Sequence, residues 1–170
     1  MAIMNTQQCI LQWNCQGIRN KKDELLYYVE TFGIDIIALQ ETMQNLNYYT
    51  NLQGYNLEHC DGHFNRTAHG GVGLYIHQDL PYERVELNTT IQAVAIRTRL
   101  SSLITICNVY FSRSHTLNLE LLNDLYEQLP QPVLMLGDFN AYNTSWGSAV
   151  DDSRGLTVES FCNQNLLNTQ

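Results

Sequence analysis

Three times along this chain a run of apolar residues stops abruptly at a polar side chain. Ile10-Leu11-Gln12-Trp13 runs into Asn14, residues 34–39 run into Gln40-Glu41-Thr42, and Pro132-Val133-Leu134-Met135-Leu136 runs into Gly137-Asp138-Phe139-Asn140-Ala141. Residues 34–39 are apolar at nearly every position, the pattern of a strand covered on both faces, so the centre of a sheet is expected there. Between the first two runs, residues 21–32 read as a helix with Asn20 as N-cap, Asp23 in the first turn, Leu25, Leu26, Val29 and Phe32 on one face, and Gly33 as the stop. Residues 43–53, rich in Asn, Gln and Tyr, read as a surface loop or short helix within one domain. Shorter strands are expected over 55–59, 71–76, 83–87, 91–97 and 103–110, close enough together to form an antiparallel meander. A second helix is expected from near Thr116, burying Leu121, Leu122, Leu125 and Leu129 and stopping before Pro130. A third is expected over 156–165, and residues 166–170 look like the start of a further strand.

At 170 residues and 44% hydrophobic, the chain has the size and apolar content of a single domain with a real core. The five cysteines are scattered and lack a C-x-x-C pair, which disfavours a disulfide framework or a zinc ribbon and fits a reducing, intracellular compartment. No secretory leader is recognisable and no apolar run approaches the length of a membrane span. The net charge of −8 is opposite to that of a protein binding nucleic acid by bulk electrostatics. A carboxylate-bound divalent cation could still supply positive charge locally, where a scissile phosphate would sit.

Each polar strand end has an ordinary explanation as well. Gly137 to Asn140 could terminate a strand, Glu41 could be a solvated carboxylate, Asn14 a local cap and Tyr110 a half-buried edge aromatic. Taken together they offer oxygen ligands and hydrogen-bond donors suited to a hard cation and a phosphate. Other candidates carry less. His59 and His63 flank Cys60 without a second ligand pair and read as loop residues. Gly70-Gly71-Val72-Gly73 precedes a strand, so it reads as a bend rather than a dinucleotide fingerprint. No phosphate-binding P-loop and no nucleophile elbow occurs, which disfavours a covalent hydrolase.

With these residues in view, the chain resembles the endonuclease/exonuclease/phosphatase superfamily. The matching motifs are Trp13-Asn14-Cys15-Gln16-Gly17-Ile18, Leu39-Gln40-Glu41-Thr42, Gly70-Gly71-Val72-Gly73-Leu74-Tyr75-Ile76, Asn108-Val109-Tyr110 and Gly137-Asp138-Phe139-Asn140-Ala141, in the family's order and across essentially the whole chain. Trp146-Gly147-Ser148 followed by Arg154-Gly155 resembles the endonuclease domain of jockey-like non-LTR retrotransposons. The resemblance implies a deoxyribonuclease-like α/β sandwich of two mixed sheets with helices outside, forming one domain over 1–170. It implies Glu41 as principal Mg²⁺ or Mn²⁺ ligand with Asn14 beside it, Asp138 orienting or deprotonating the attacking water, Asn140 donating to the scissile phosphate and Tyr110 bonding a phosphate oxygen. The implied substrate is DNA, the implied partner a reverse transcriptase domain in the same polyprotein, and the implied location the nucleus.

The family's final Ser-Asp-His motif has no counterpart after Asn140. The resemblance therefore implies a chain lacking its last strands, with an unpaired sheet edge and an impaired reaction, since a general acid–base group contributes about 10²–10⁴-fold. A phosphatase of the same fold and an inactive mobile-element remnant are the alternatives.

Overall fold

The computed structural model describes residues 8–44, 49–64 and 67–167. Strand β1 (Ile10–Asn14) lies parallel to β2 (Ile36–Gln40), with Asn14 opposite Gln40. Every residue of β2 is buried, as its unbroken apolar pattern demands. The crossover between them carries a 3-10 turn, Ile18–Asn20, and helix α1 (Lys22–Phe32). Asn20 is not the helix cap: it belongs to the 3-10 turn, and Lys21 stands at the N-cap with no side-chain hydrogen bond. Leu25 is fully buried, whereas Phe32 is 60% exposed and stacks on Tyr28, so the expected apolar face stops a turn early.

After β3 (Tyr55–Cys60) come two short strands, β4 (His63–Phe64) and β5 (Thr67–Ala68), which form a small hairpin of their own. Strand β6 (Val72–His77) then inserts between β2 and β3, antiparallel to both. Strands β7 (Tyr82–Val85), β8 (Gln92–Arg99) and β9 (Leu103–Tyr110) run antiparallel in a second sheet, which β10 (Val133–Asp138) joins parallel to β9. The orders are β1-β2-β6-β3 and β10-β9-β8-β7. The expected meander is thus split between two sheets, because β6 is buried on nearly every residue and needs neighbours on both edges.

Ile36, Ala38, Leu74, Val94, Ile96 and Ile106 fill the space between the sheets. Helix α1 covers the outer face of the first, with Leu25, Ile37, Leu39 and Tyr75 packed together. Helices α2 (Leu119–Glu127) and α3 (Ser153–Gln164) cover the outer face of the second, burying Leu122, Leu125, Val158 and Phe161 against Cys107 and Val109. The result is the two-sheet α/β sandwich implied above. Helix α2 starts three residues later than Thr116, where the Asn118 side chain accepts from the Leu121 amide, and α3 starts at Ser153 beneath the Asp152 cap. Among the described residues β10 pairs on one side only, and all six of its residues are half-buried. The expected strand over 166–170 lies mostly outside the described residues, as does the middle of the polar loop over 43–53. All five cysteines are free, and among the described residues no helix is long and apolar enough to cross a membrane.

Candidate active site

The parallel pairs β1/β2 and β9/β10 bring four strand ends to one end of the sandwich. Asn14 and Glu41 come from the first sheet, and Tyr110 and Asp138, opposite one another in the β9/β10 register, come from the second. The carboxamide of Asn14 joins the halves: its Nδ2 donates to Glu41 Oε1 at 2.9 Å and to Asp138 Oδ2 at 2.7 Å. The other oxygen of Asp138, Oδ1, accepts from the Asn140 backbone N–H at 2.8 Å. Tyr110 is hydrogen-bonded to Glu41. The five expected residues therefore lie together at one end of the sandwich, and three of them, Asn14, Asp138 and Asn140, also line a groove of about 980 Å³ along β10.

The two turns that follow the strands are strained. Glu41 has φ 51° and Asn140 φ 47°, the left-handed region that costs a non-glycine residue about 1–3 kcal/mol. Hydrogen bonds hold both turns: the Gly17 amide donates to Glu41 O at 2.7 Å and the Asn140 amide to Asp138 Oδ1 at 2.8 Å. Asn140 is not poised entirely as a phosphate donor: its Nδ2 donates to Phe111 O at 3.1 Å, leaving one N–H, while its Oδ1 accepts from Arg113 Nε at 3.2 Å.

Burial first, then the hydrogen bond to Glu41 and the charges of Glu41 and Asp138, push the Tyr110 phenol up to about 12. It stays a proton donor throughout the neutral and moderately alkaline range. Neither Glu41 nor Asp138 has a salt bridge among the described residues. Two carboxylates are thus held together by neutral donors, with Arg113 and Arg154 near by but in salt bridges to neither. No cluster of three or more His, Cys, Asp or Glu occurs among the described residues. The oxygen donors of Glu41 and Asp138 fit a hard ion such as Mg²⁺, which binds through one or two carboxylates and keeps several waters.

Gly70 and Gly71 explain their motif. The loop after β2 is tied to them by Met43 N to Gly70 O at 2.9 Å and Thr42 N to Gly71 O at 3.2 Å. At Gly70, φ is +68° and an added Cβ would lie 2.9 Å from Tyr110 Cε1 and 2.5 Å from Gln92 Oε1. Gly70→Ala is expected to destabilise the fold by about 1–2 kcal/mol and to push the Tyr110 ring away from Glu41. A thermal melt and a Tyr110 ring titration check it; an unchanged titration would show that the close approach is immaterial to the site.

Two arginines belong to this neighbourhood. Arg154, at the start of α3, donates to Phe139 O at 2.7 Å, His115 O at 2.7 Å and Phe111 O at 3.3 Å, and so binds the loops after β9 and β10 together. Burial lowers its pKa. Arg113 is exposed and makes bonds to neutral acceptors, Asn140 and the Tyr142 hydroxyl. The Arg154-Gly155 motif marks one of them, but neither hydrogen-bonding role has a local signal, because both depend on loops distant in order. His59, expected in a loop, lies on β3 with Nδ1 3.0 Å from Asp61 Oδ1, away from a metal cluster.

Residues 11–165 match the model of the Endonuclease/Exonuclease/phosphatase family. The RNA-directed DNA polymerase from mobile element jockey of Drosophila melanogaster is 24% identical over 151 residues, 86% of this chain and 16% of that protein. The chain thus spans only about one sixth of that relative's length. Among solved structures, the AP endonuclease LMAP from Leishmania major superposes with a TM-score of 0.63 at 14% identity, covering 91% of this chain and 66% of that one. The 3' phosphatase NExo from Neisseria, bound to a product DNA hairpin, superposes with a TM-score of 0.59 at 15% identity, covering 91% and 71%. These two likenesses are of fold.

Proposed function

The chain belongs to the Endonuclease/Exonuclease/phosphatase family, and from that premise we propose that it is a divalent-metal-dependent DNA endonuclease domain that nicks target DNA for a mobile element. The observation that carries this reading is the Asn14 bridge, which places Glu41 and Asp138 from different sheets beside one another with Tyr110 at hand. Glu41, with Asn14 beside it, would hold Mg²⁺ or Mn²⁺. Bound there, the cation would polarise the phosphate and offset charge on the leaving oxygen.

Water attacks phosphorus in line and its proton passes to Asp138; the bond to the 3' oxygen breaks, and that oxygen takes a proton from solvent water, leaving a 3'-hydroxyl and a 5'-phosphate. Asp138 is suited to receive that proton because Asn14 and the Asn140 amide hold both its oxygens in place. Tyr110 and the free N–H of Asn140 donate to phosphate oxygens as charge builds on them. No covalent enzyme intermediate is needed. A polymerase in the same polypeptide, by analogy with the relative's name, would extend the 3'-hydroxyl on chromosomal DNA in the nucleus.

DNA rather than a small phosphoester is favoured by Arg113, a cation at the rim of the site in a chain of net charge −8. Supercoiled plasmid incubated with the protein and Mg²⁺ is expected to convert to nicked circle, and chelation is expected to stop the conversion. Arg113→Gln should weaken DNA binding and lower the slope of log affinity against log salt by about 1, the signature of one lost phosphate contact. Phosphate release from a small monoester with the plasmid left intact would replace the nuclease by a phosphatase. Neither activity would remove the enzymatic reading.

A further inference from the structure

The site is assembled from two halves that share no strand. Between the sheets the packing is mainly aliphatic, and such contacts are non-directional, tolerating small slips of one sheet over the other. Into this layer the chain nonetheless buries two carboxamides. Gln40 and Asn108 are both 0% exposed. Gln40 Nε2 donates to Asn108 Oδ1 at 2.6 Å, and Gln40 Oε1 accepts from Gln12 Nε2 at 2.7 Å. Asn108 Nδ2 donates to Leu39 O at 2.9 Å and to Gly73 O at 3.0 Å. The chain of bonds therefore runs from β1 through β2 to β9, with a branch to β6.

Its location is specific. Gln40 immediately precedes Glu41, and Asn108 lies two residues before Tyr110 on the same face of β9. An apolar pair would fill this space without the risk of unsatisfied polar groups, which are costly when buried. Hydrogen bonds, unlike aliphatic contacts, hold their partners within a few tenths of an ångström.

We propose that the Gln12–Gln40–Asn108 clasp is a positioning device that locks the register of the two sheets, so that Glu41 from one meets Tyr110 and Asp138 from the other. Its consequence for turnover rests on the nuclease reading; its consequence for geometry does not.

The double variant Gln40→Met/Asn108→Leu replaces both buried carboxamides by apolar groups of similar size; the Leu39 and Gly73 carbonyls lose the Asn108 donor, so some loss of stability is expected. Exposed Gln12 is left to bond water. Two readouts separate position from packing: the thermal melt, and the Asn14 Nδ2–Asp138 Oδ2 separation across the two sheets, read from a crystal structure of the variant. The variant is expected to fold with a lower melting point while that separation opens beyond the 2.7 Å of the parent. In a nicking assay kcat should fall roughly 10–100-fold with a smaller change in KM, as misplacement by about 1 Å predicts.

A folded double variant with the Asn14–Asp138 hydrogen bond unchanged would overturn the proposal and leave the clasp as packing. If the double variant does not fold, Gln12→Met decides: it breaks only the outermost link, and an Asn14–Asp138 separation identical to that of the parent would overturn the proposal equally. Failure of the parent protein to nick DNA would count against the nuclease and not against the clasp.

Discussion

Replacing Glu41 by glutamine is expected to abolish hydrolysis while leaving the fold at least as stable. Glu41 and Asp138 are like charges joined through one Asn14 nitrogen, with no salt bridge among the described residues to offset them. Neutralising Glu41 relieves that repulsion in the free protein, and glutamine keeps an oxygen that can accept from Asn14. A divalent cation, by contrast, loses the carboxylate that attracts it. Cation stabilisation of a phosphoryl transition state amounts to several kcal/mol, so turnover at fixed Mg²⁺ should drop by about a thousandfold or more.

Tyr110 reports the same change directly. Its pKa of about 12 has burial as the leading cause and Glu41 next, so Glu41→Gln should bring it part of the way back to 10. Folded Tyr110 holds its proton more tightly than in the unfolded chain, adding stability that is fully present below about pH 10 and lost as pH rises towards about 12. In Glu41→Gln that alkaline window narrows from the top. Mg²⁺ added to the parent protein should likewise lower the Tyr110 pKa by offsetting Glu41, and should do nothing in the variant. Equal Mg²⁺ responses from the two proteins would remove Glu41 as the metal ligand.

The second large effect is expected at Arg154. Its guanidinium satisfies carbonyls of Phe111, His115 and Phe139, which lie in the two loops that leave the site. Arg154→Met would keep most of the packing and strand these acceptors. Hydrogen bonds to charged groups contribute about 1.5–3 kcal/mol each, so a loss of about 3 kcal/mol is expected once water reaches the more open acceptors. For a domain of this size that lowers the melting point by roughly 6–12 °C. Activity should fall as well, because Phe111 and Phe139 adjoin Tyr110 and Asp138. Arg154→Lys should not rescue either property: a single ammonium cannot reproduce a planar fork reaching three carbonyls. A melt of Arg154→Lys matching the parent would show that charge alone suffices.

Much of the architecture follows from local pattern. Strand β2 was legible because residues buried on both faces read as an unbroken apolar run, and β9 because its bounds coincide with a β-rich segment between turns. The site residues stood out where apolar runs ended in oxygen-bearing side chains. Two kinds of feature were not legible. Helix starts shifted: Asn20 was taken up by a 3-10 turn, which leaves Lys21 at the start of α1 without a side-chain cap bond, and Asn118 caps α2 after the expected start near Thr116. The placement of β6 between β2 and β3 escaped because adjacency in sequence favours a meander, while burial of both faces favours an interior position.

The order of apolar and polar residues determined which strands exist, where each one ends, and which side chain stands at the end. Periodicity and turn chemistry act over a few residues, so they are written in the chain directly. Only the tertiary structure decided which strand ends meet, that one Asn14 amide joins carboxylates 97 positions apart in Glu41 and Asp138, and that Gln40, Asn108 and Arg154 hold the assembly in place. Those outcomes depend on the packing of two sheets and the crossing of distant loops, and a hydrogen bond between residues far apart in order leaves no local signal in either of its partners.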